Sequence, residues 1–247
     1  MRPIYLFIFC FFYFSAIDAQ NKGNIVYRIV TDELKSQENH SQAKQSFYKL
    51  MNSMSLIRDS LYFNLDFKDS ESLFYLDKGK NVGMSNERGY NSIIKSFSSV
   101  FYRNNDTKEL IEQVSTDRIY LITSSTKDLK WEITNEEKKI NQYLCYKAVT
   151  TIKARSLTKG DHFKKIQAWF CPEIPLNLGP NNFGGLPGLI FELKIGMLTY
   201  YIESLNFNPK AGTEIVKPTK GKEITRDEYF SLKPVITKEN FKEYIGG

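Results

Sequence analysis

Gly184-Gly185-Leu186-Pro187-Gly188-Leu189-Ile190 constrains the fold of this chain more than any other stretch, because it sets turn chemistry directly against strand chemistry with no catalytic side chain in between. Proline presets φ for the second position of a tight turn, and glycine at the third supplies φ > 0 without a Cβ clash. The spacing predicts a type II turn over 186–189. Beyond it, Leu189, Phe191, Leu193 and Ile195 fall on one face and Glu192 and Lys194 on the other, the pattern of a half-buried strand. Gly196-Met197 then reads as a two-residue type II′ hairpin, so 198–205 is expected to pair back on that strand.

The same grammar recurs along the chain. Leu61, Phe63, Leu65 and Phe67 alternate with Tyr62, Asn64, Asp66 and Lys68, the cleanest period-two pattern present. Further strands are expected at 25–30, 73–76, 98–103, 110–115, 119–123 and 130–134, each bounded by polar turn residues. One helix stands out over about 41–58, where Ala43, Phe47, Leu50, Met51, Met54 and Ile57 recur at three- and four-residue steps. Such a stripe most often lies against a sheet. Thr225-Arg226-Asp227-Glu228 has capping-box spacing for a short helix over Tyr229 and Phe230, stopped by Pro234, and 239–244 suits a last helical turn. The expected class is mainly β with minor α: a single curved antiparallel sheet, bowl-like or a partly open barrel.

The amino terminus reads as an export signal. Arg2 precedes an apolar run over 4–14, and Ile17-Asp18-Ala19 ends in the small residue that a signal peptidase requires, so cleavage is expected near Ala19. The run is about half of the roughly 20 apolar residues that span a bilayer. Residues 20–247 are then expected to form a single domain, periplasmic or secreted, with no transmembrane segment. The formal charge of +6 is unchanged by loss of Arg2 and Asp18. Lysines are interleaved with Asp and Glu, and no block of like charge marks a nucleic-acid partner.

Two cysteines survive such processing. The segments 142–152 and 163–171 read as strands, and Leu157-Thr158-Lys159-Gly160-Asp161 as the loop between them. A hairpin centred near Thr158 sets Cys145 opposite Cys171, and a disulfide is expected. His40 and His162 show no ligand spacing with these thiols, so no metal is expected.

Catalytic constellations are absent from the pattern. The glycines lack the lysine and the following helix of a phosphate loop. No G-x-S-x-G elbow occurs, and Asp161 and His162, adjacent on a strand, point to opposite faces. What remains is aromatic: 18 Phe and 15 Tyr, with Trp131 and Trp169 near the cysteine strands. Trp131, Trp169 and Phe170 are the candidate ligand-binding residues, and Trp169 and Phe170 must face oppositely.

Ala168-Trp169-Phe170-Cys171-Pro172-Glu173-Ile174-Pro175, then Gly179-Pro180, then 183–190 resembles the GLPGLI family of Bacteroidota, exported envelope proteins of unknown activity. The resemblance is specific at Gly185-Leu186-Pro187-Gly188-Leu189-Ile190 and extends back to about Trp131. It implies a fold and a compartment rather than a reaction, and no cofactor. The chain is also similar to the bowl-like N-terminal domain attached to some bacterial glycan-processing amidases. The expectation is a non-catalytic binding protein for a ligand or an outer-membrane partner; the alternative is an enzyme or enzyme-accessory module acting on glycans or peptides.

Overall fold

The computed structural model describes residues 21–33, 35, 41–80, 89–156, 160–209 and 214–232. The expected signal segment, Pro234 and 239–244 lie outside them. In chain order the elements are β1 (Lys22–Thr31), α1 (Gln42–Asp59), β2 (Tyr62–Lys68), β3 (Glu71–Leu76), α2 (Tyr90–Ser96), β4 (Val100–Asn104), β5 (Glu109–Ser115) and β6 (Ile119–Ser125). There follow β7 (Glu132–Ile140), β8 (Tyr143–Ser156), β9 (Gly160–Cys171), β10 (Leu189–Ile195), β11 (Leu198–Asn206), β12 (Lys222–Thr225) and α3 (Arg226–Ser231). All strands join one open sheet in the order β12-β6-β5-β4-β3-β2-β1-β11-β10-β9-β8-β7. Its neighbours are antiparallel except β12, which runs parallel to β6.

That sheet is curved. β5 and β8 stand eight places apart in the order, roughly 38 Å in a flat sheet at about 4.8 Å per strand. Yet residues from both line one cavity, and Lys153 of β8 places its Nζ 2.7 Å from Asp227 Oδ1 in α3, which follows β12 at the opposite edge. The sheet therefore closes on itself as a bowl, with its two ends facing across the mouth.

The alternation along β2 buries Leu61, Phe63, Leu65 and Phe67, which merge with Ile25, Tyr27 and Ile29 of β1 into the main core. Into this core folds the segment after β9. Leu178, Phe183 and Leu186 are buried there, and the Tyr27 hydroxyl donates to the Ile190 carbonyl at 2.6 Å. α1 starts at Ser41, whose Oγ accepts the Lys44 N–H, and packs against β1; Ile57 is buried and Met54 lies against the core. A capping box forms at Thr225 as its spacing indicates, with Thr225 Oγ1 accepting from Glu228 N–H and Glu228 Oε2 accepting from Thr225 N–H.

The glycine-rich turn differs from expectation. Instead of a bond closing 186–189, the Gly188 N–H donates to the Leu186 carbonyl at 2.8 Å, which puts Pro187 at the apex of a three-residue turn. Gly188 keeps the expected positive φ, at 158°, and Gly185 is left-handed as well, at φ 83°. Gly188 is required by proximity: a Cβ there would sit 2.2 Å from the Cys171 carbonyl oxygen. The strand that follows carries a bulge between Ile190 and Glu192, so Leu189, Ile190 and Phe191 are all buried before alternation resumes. Gly196, at φ 65°, opens the two-residue hairpin with Ile195 facing Leu198, as a type II′ turn requires.

The expected disulfide is not formed. The hairpin register is the expected one, Ser156 facing Gly160 and Tyr146 facing Phe170, and it brings Cys145 and Cys171 abreast. Both are free, buried thiols within hydrogen-bond reach of one another, and the Cys145 thiol also lies 3.9 Å from the Tyr143 carbonyl.

The core tyrosines give the fold an alkaline limit. Burial pushes the Tyr200 phenol up to about 12 and raises Tyr27 strongly as well. The folded state keeps these groups neutral while the unfolded chain ionises near 10, so the unfolded state binds fewer protons and stability falls as pH rises past that point. Tyrosinate absorbance is expected to lag free tyrosine and then rise in one step together with loss of the β-sheet circular dichroism signal. Gradual ionisation of all tyrosines in an intact fold contradicts this.

Candidate functional site

The concave side is mostly filled by the core, but a cleft of about 550 Å³ remains where β4, β5 and β6 face β8. Alternation sets Phe101 of β4, Leu110 and Glu112 of β5 and Ser124 of β6 on the same inner face, since Phe101 pairs with Glu112 and Leu110 with Ser124. Ile152 and Arg155 of β8 form the facing wall, Asn181 to Phe183 the floor, and Arg226 and Phe230 of α3 the lip. Curvature, rather than any local motif, assembles this set.

The floor is held by strained backbone and a buried cation. Asn181 and Asn182 both adopt positive φ, 53° and 62°, a conformation that asparagine tolerates better than most residues. Arg103, only 4% exposed, donates from Nη1 to the Asn182 carbonyl at 3.1 Å and from Nε to Asn105 Oδ1 at 2.7 Å. Burial lowers its guanidinium to about 10. Asn182 Nδ2 in turn donates to the Ile111 carbonyl at 3.2 Å, which ties the floor to β5.

The cleft's charges are largely met by one another, although the buried Arg155 Nε has no hydrogen-bond partner among the described residues. Arg226 Nη2 lies 2.6 Å from Glu112 Oε2, and Arg155 Nη1 3.0 Å from Asp161 Oδ1. Lys153 bridges Asp227 at 2.7 Å and Asp161 at 3.4 Å. Asp128 spends an oxygen on the Ser125 N–H. The free chemistry is thus an apolar wall beside neutral hydrogen-bonding groups, a surface for an apolar body with an uncharged polar end.

The three aromatic candidates stand elsewhere. The Trp131 indole N–H donates to the Gly184 carbonyl at 2.9 Å, and its ring meets Phe183 edge-on at 6.2 Å, so it clamps the glycine-rich segment. Phe170 is buried in the core. Trp169 turns to the opposite face of β9, with Lys138 Nζ 4.3 Å from its ring centroid and paired to Glu192 at 2.6 Å. None of the three lines the cleft. The residues that do escaped the sequence reading, although Asn181-Asn182 after Pro180 is a legible signal of αL backbone at its floor.

Nucleophilic chemistry finds no geometry here. Burial pushes the Cys145 thiol up to about 12 and raises Cys171 also, which disfavours the thiolate. His162 and Cys171 stand at opposite ends of β9, roughly 30 Å apart at about 3.3 Å per residue. His162 Nδ1 lies 3.1 Å from the Gly160 carbonyl, and Asp161 is engaged by Arg155 and Lys153. Among the described residues no group of three or more His, Cys, Asp or Glu side chains is arranged to hold a metal ion, and no helix is long and apolar enough to cross a membrane.

Residues 153–192 match the model of a family described as a protein of unknown function, Porph_ging, found in Bacteroidota. The match runs from the cleft wall of β8 through β9 and the glycine-rich segment into β10. No curated protein matches the sequence. Two crystal structures of PNGF-II, in space groups C2 and P21, are similar in fold, each with a TM-score of 0.51 at 15% identity. They align with 85% and 86% of this chain and with 32% and 33% of theirs, so the chain spans about a third of their length. The lipoprotein LppX of Mycobacterium tuberculosis aligns over 78% of this chain and 90% of its own at 8% identity, with a TM-score of 0.29, too low to relate the folds.

Proposed function

We propose that this chain is an exported GLPGLI-family binding protein of the cell envelope, which takes an apolar-bodied ligand with an uncharged hydrogen-bonding end into the cleft between β4–β6 and β8. The observation that carries this reading is the cleft. Its volume of about 550 Å³ falls inside the range of roughly 300–1,000 Å³ usual for small-molecule sites. Phe101, Leu110, Ile152 and Phe230 supply the apolar wall, and Ser124 and Asn181 supply polar groups beside it. Export follows from the amino-terminal pattern: cleavage near Ala19 leaves a single domain, 20–247, in the periplasm or outside the cell. In that oxidising setting Cys145 and Cys171, abreast on β8 and β9, pass two electrons and two protons to a cellular thiol–disulfide oxidant and close a bridge.

Mass spectrometry of protein recovered from its native host tests these points together. One amphiphilic species is expected to be released from the wild type and absent from folded Ser124→Trp and Ile152→Trp variants, whose indoles fill the cleft. Equal ligand content in both folded variants would overturn the cleft reading. The intact mass is expected to show an amino terminus at Gln20 and two hydrogens fewer than the reduced chain; an uncut chain refutes export, and a full complement of hydrogens refutes the bridge.

A second reading has one observation in its favour. A similar fold occupies about a third of a PNGF-II chain, so such a domain can be one part of a longer protein, and the second reading is an enzyme-accessory module working beside a partner that processes glycans or peptides. That role predicts such an enzyme in pull-downs and no ligand in the cleft.

A further inference from the structure

A second cavity, of about 290 Å³, lies under the helices, away from the cleft. Met51 and Met54 of α1, Ile93 and Phe97 at α2, and Met197 and Leu198 at the β10–β11 hairpin give it apolar walls. Methionine-rich walls adapt to flexible apolar chains. Thr31, Arg58, Ser92 and Ser96 interrupt this lining, and the Ser96 hydroxyl is spent on the Ile93 carbonyl at 2.7 Å. Thr31, at the end of β1 and 8% exposed, has a buried hydroxyl with no hydrogen-bond partner among the described residues, and the buried Arg58 Nε–H has none there either. A buried polar group left unpaired is destabilising, so two of them beside a cavity are a reason to look for an acceptor.

The charge points the same way. Arg58 donates only from Nη2 to the Met51 carbonyl, at 3.4 Å, and no carboxylate among the described residues lies within ion-pair distance of it. Its neighbour Asp59 uses Oδ1 on the Thr31 backbone N–H at 2.8 Å. An uncompensated guanidinium and a threonine hydroxyl, both lining a methionine-rich hollow, match a carboxylate carried on an aliphatic chain. At about 30 Å³ per group, the hollow has room for on the order of ten non-hydrogen atoms.

We propose that the cavity between α1, α2 and the β10–β11 hairpin is a binding site for a short-chain aliphatic carboxylate, with the head on Arg58 Nε and Thr31 Oγ1 and the chain among Met51, Met54 and Met197. The site is independent of the cleft between β4–β6 and β8. Octanoate, with ten non-hydrogen atoms, is the probe, and 1-octanol and acetate isolate its chain and its head. Calorimetry on the mature chain is expected to show saturable one-to-one binding of octanoate, at least tenfold tighter than either control. Arg58→Gln and Thr31→Val are each expected to weaken octanoate at least tenfold while leaving octanol unchanged. Met54→Trp fills the hollow and removes both; if that variant fails to fold, Met197→Trp on the exposed hairpin takes its place. Ile152→Trp, which fills the other cleft, is expected to leave octanoate binding intact. The proposal falls if octanoate binds no tighter than octanol, or if Arg58→Gln and Thr31→Val bind it as the wild type does, the outcome when water alone serves these donors. Loss of octanoate binding in Ile152→Trp would overturn it equally, by placing the carboxylate in the cleft.

Discussion

Gly188→Val is expected to leave little folded protein, by close approach added to a positive φ of 158°. The position where its Cβ must go is 2.2 Å from the Cys171 oxygen, 2.5 Å from the Cys171 carbonyl carbon and 2.8 Å from Pro172 N. These are backbone atoms at the end of β9, fixed by the pairing of Cys171 with Leu189, so no flexible side chain is available to move aside. Overpacking costs about 1–3 kcal/mol where side chains give way, and here the cost is expected at the top of that range or above it. That is a large part of the roughly 5–15 kcal/mol that holds a domain together. Gly185→Ala is the control. Gly185 has the left-handed φ of 83°, but its Cβ would have Arg103 Nη2 no nearer than 3.7 Å. Its cost is expected near the 1–2 kcal/mol of placing an alanine in that region. Both positions carry positive φ, so urea unfolding of Gly188→Ala against Gly185→Ala reads the added cost of the close approach; a Gly188→Ala midpoint at or above that of Gly185→Ala would show that the approach adds nothing.

Phe63→Ala is expected to cost about 3–5 kcal/mol, the usual range for removing a buried phenylalanine. Its ring stacks on Phe74 at 5.3 Å with planes 4° apart and meets Tyr200 and Phe97 edge-on at 5.6 Å and 5.9 Å. Those partners come from β3, from β11 on the far side of β1, and from the residue that caps α2. One side chain thus ties the centre of the sheet to the helix beside the methionine-lined cavity. Phe63→Leu keeps most of the buried area but loses the ring contacts, worth about 0.5–1.5 kcal/mol each, and is expected to fall between the two. A Phe63→Ala loss under about 1 kcal/mol in urea unfolding would mean that the site collapses around the missing ring.

The legible parts of the fold were those in which one sheet face is buried. β2 announces itself because every second side chain enters the core, and a slip of one residue would expose Phe63 and Phe67. β12 was missed because its four residues, Lys222 to Thr225, carry no pattern of their own and are strand only through pairing with β6. α2 was missed for a similar reason: it is seven residues long, starts at a left-handed Gly89, and has no side-chain cap or first-turn acid to mark its start. β7 was expected to end near Thr134, because Asn135-Glu136-Glu137-Lys138 reads as polar loop. Pairing with β8 carries it on to Ile140 as a charged edge strand, a composition that discourages pairing with other chains.

The candidate site was less legible still. Tryptophan near the glycine-rich motif suggested a ligand surface, but Trp131 spends its indole N–H on holding that motif in place. The cleft draws on β4, β5, β6, β8, the Asn181-Asn182 floor and α3, which meet only because the sheet curls. Spacing in sequence carries no record of that meeting. Arg103 shows the same limit, since as a charged residue after Phe101-Tyr102 and before Asn104 it reads as solvent-facing until the loop over 182–185 covers it.

The position of β1 sets the order in which this molecule can be made. It pairs with β2 across the connection that contains α1, but its other edge waits for β11, so that Ile25 meets Leu65 early and Leu205 only when almost the whole chain is present. Contacts so distant in sequence slow folding, because the entropy of closing the loop is lost before the contact forms. Until β11 arrives, the β1 edge presents unpaired backbone flanked by Ile25, Tyr27 and Ile29, the kind of surface that holdase chaperones shield and that aggregates when it is not shielded. A chain threaded across a membrane from its amino terminus would therefore deliver its central strand first and complete it last, with assembly decided by how long that edge is protected.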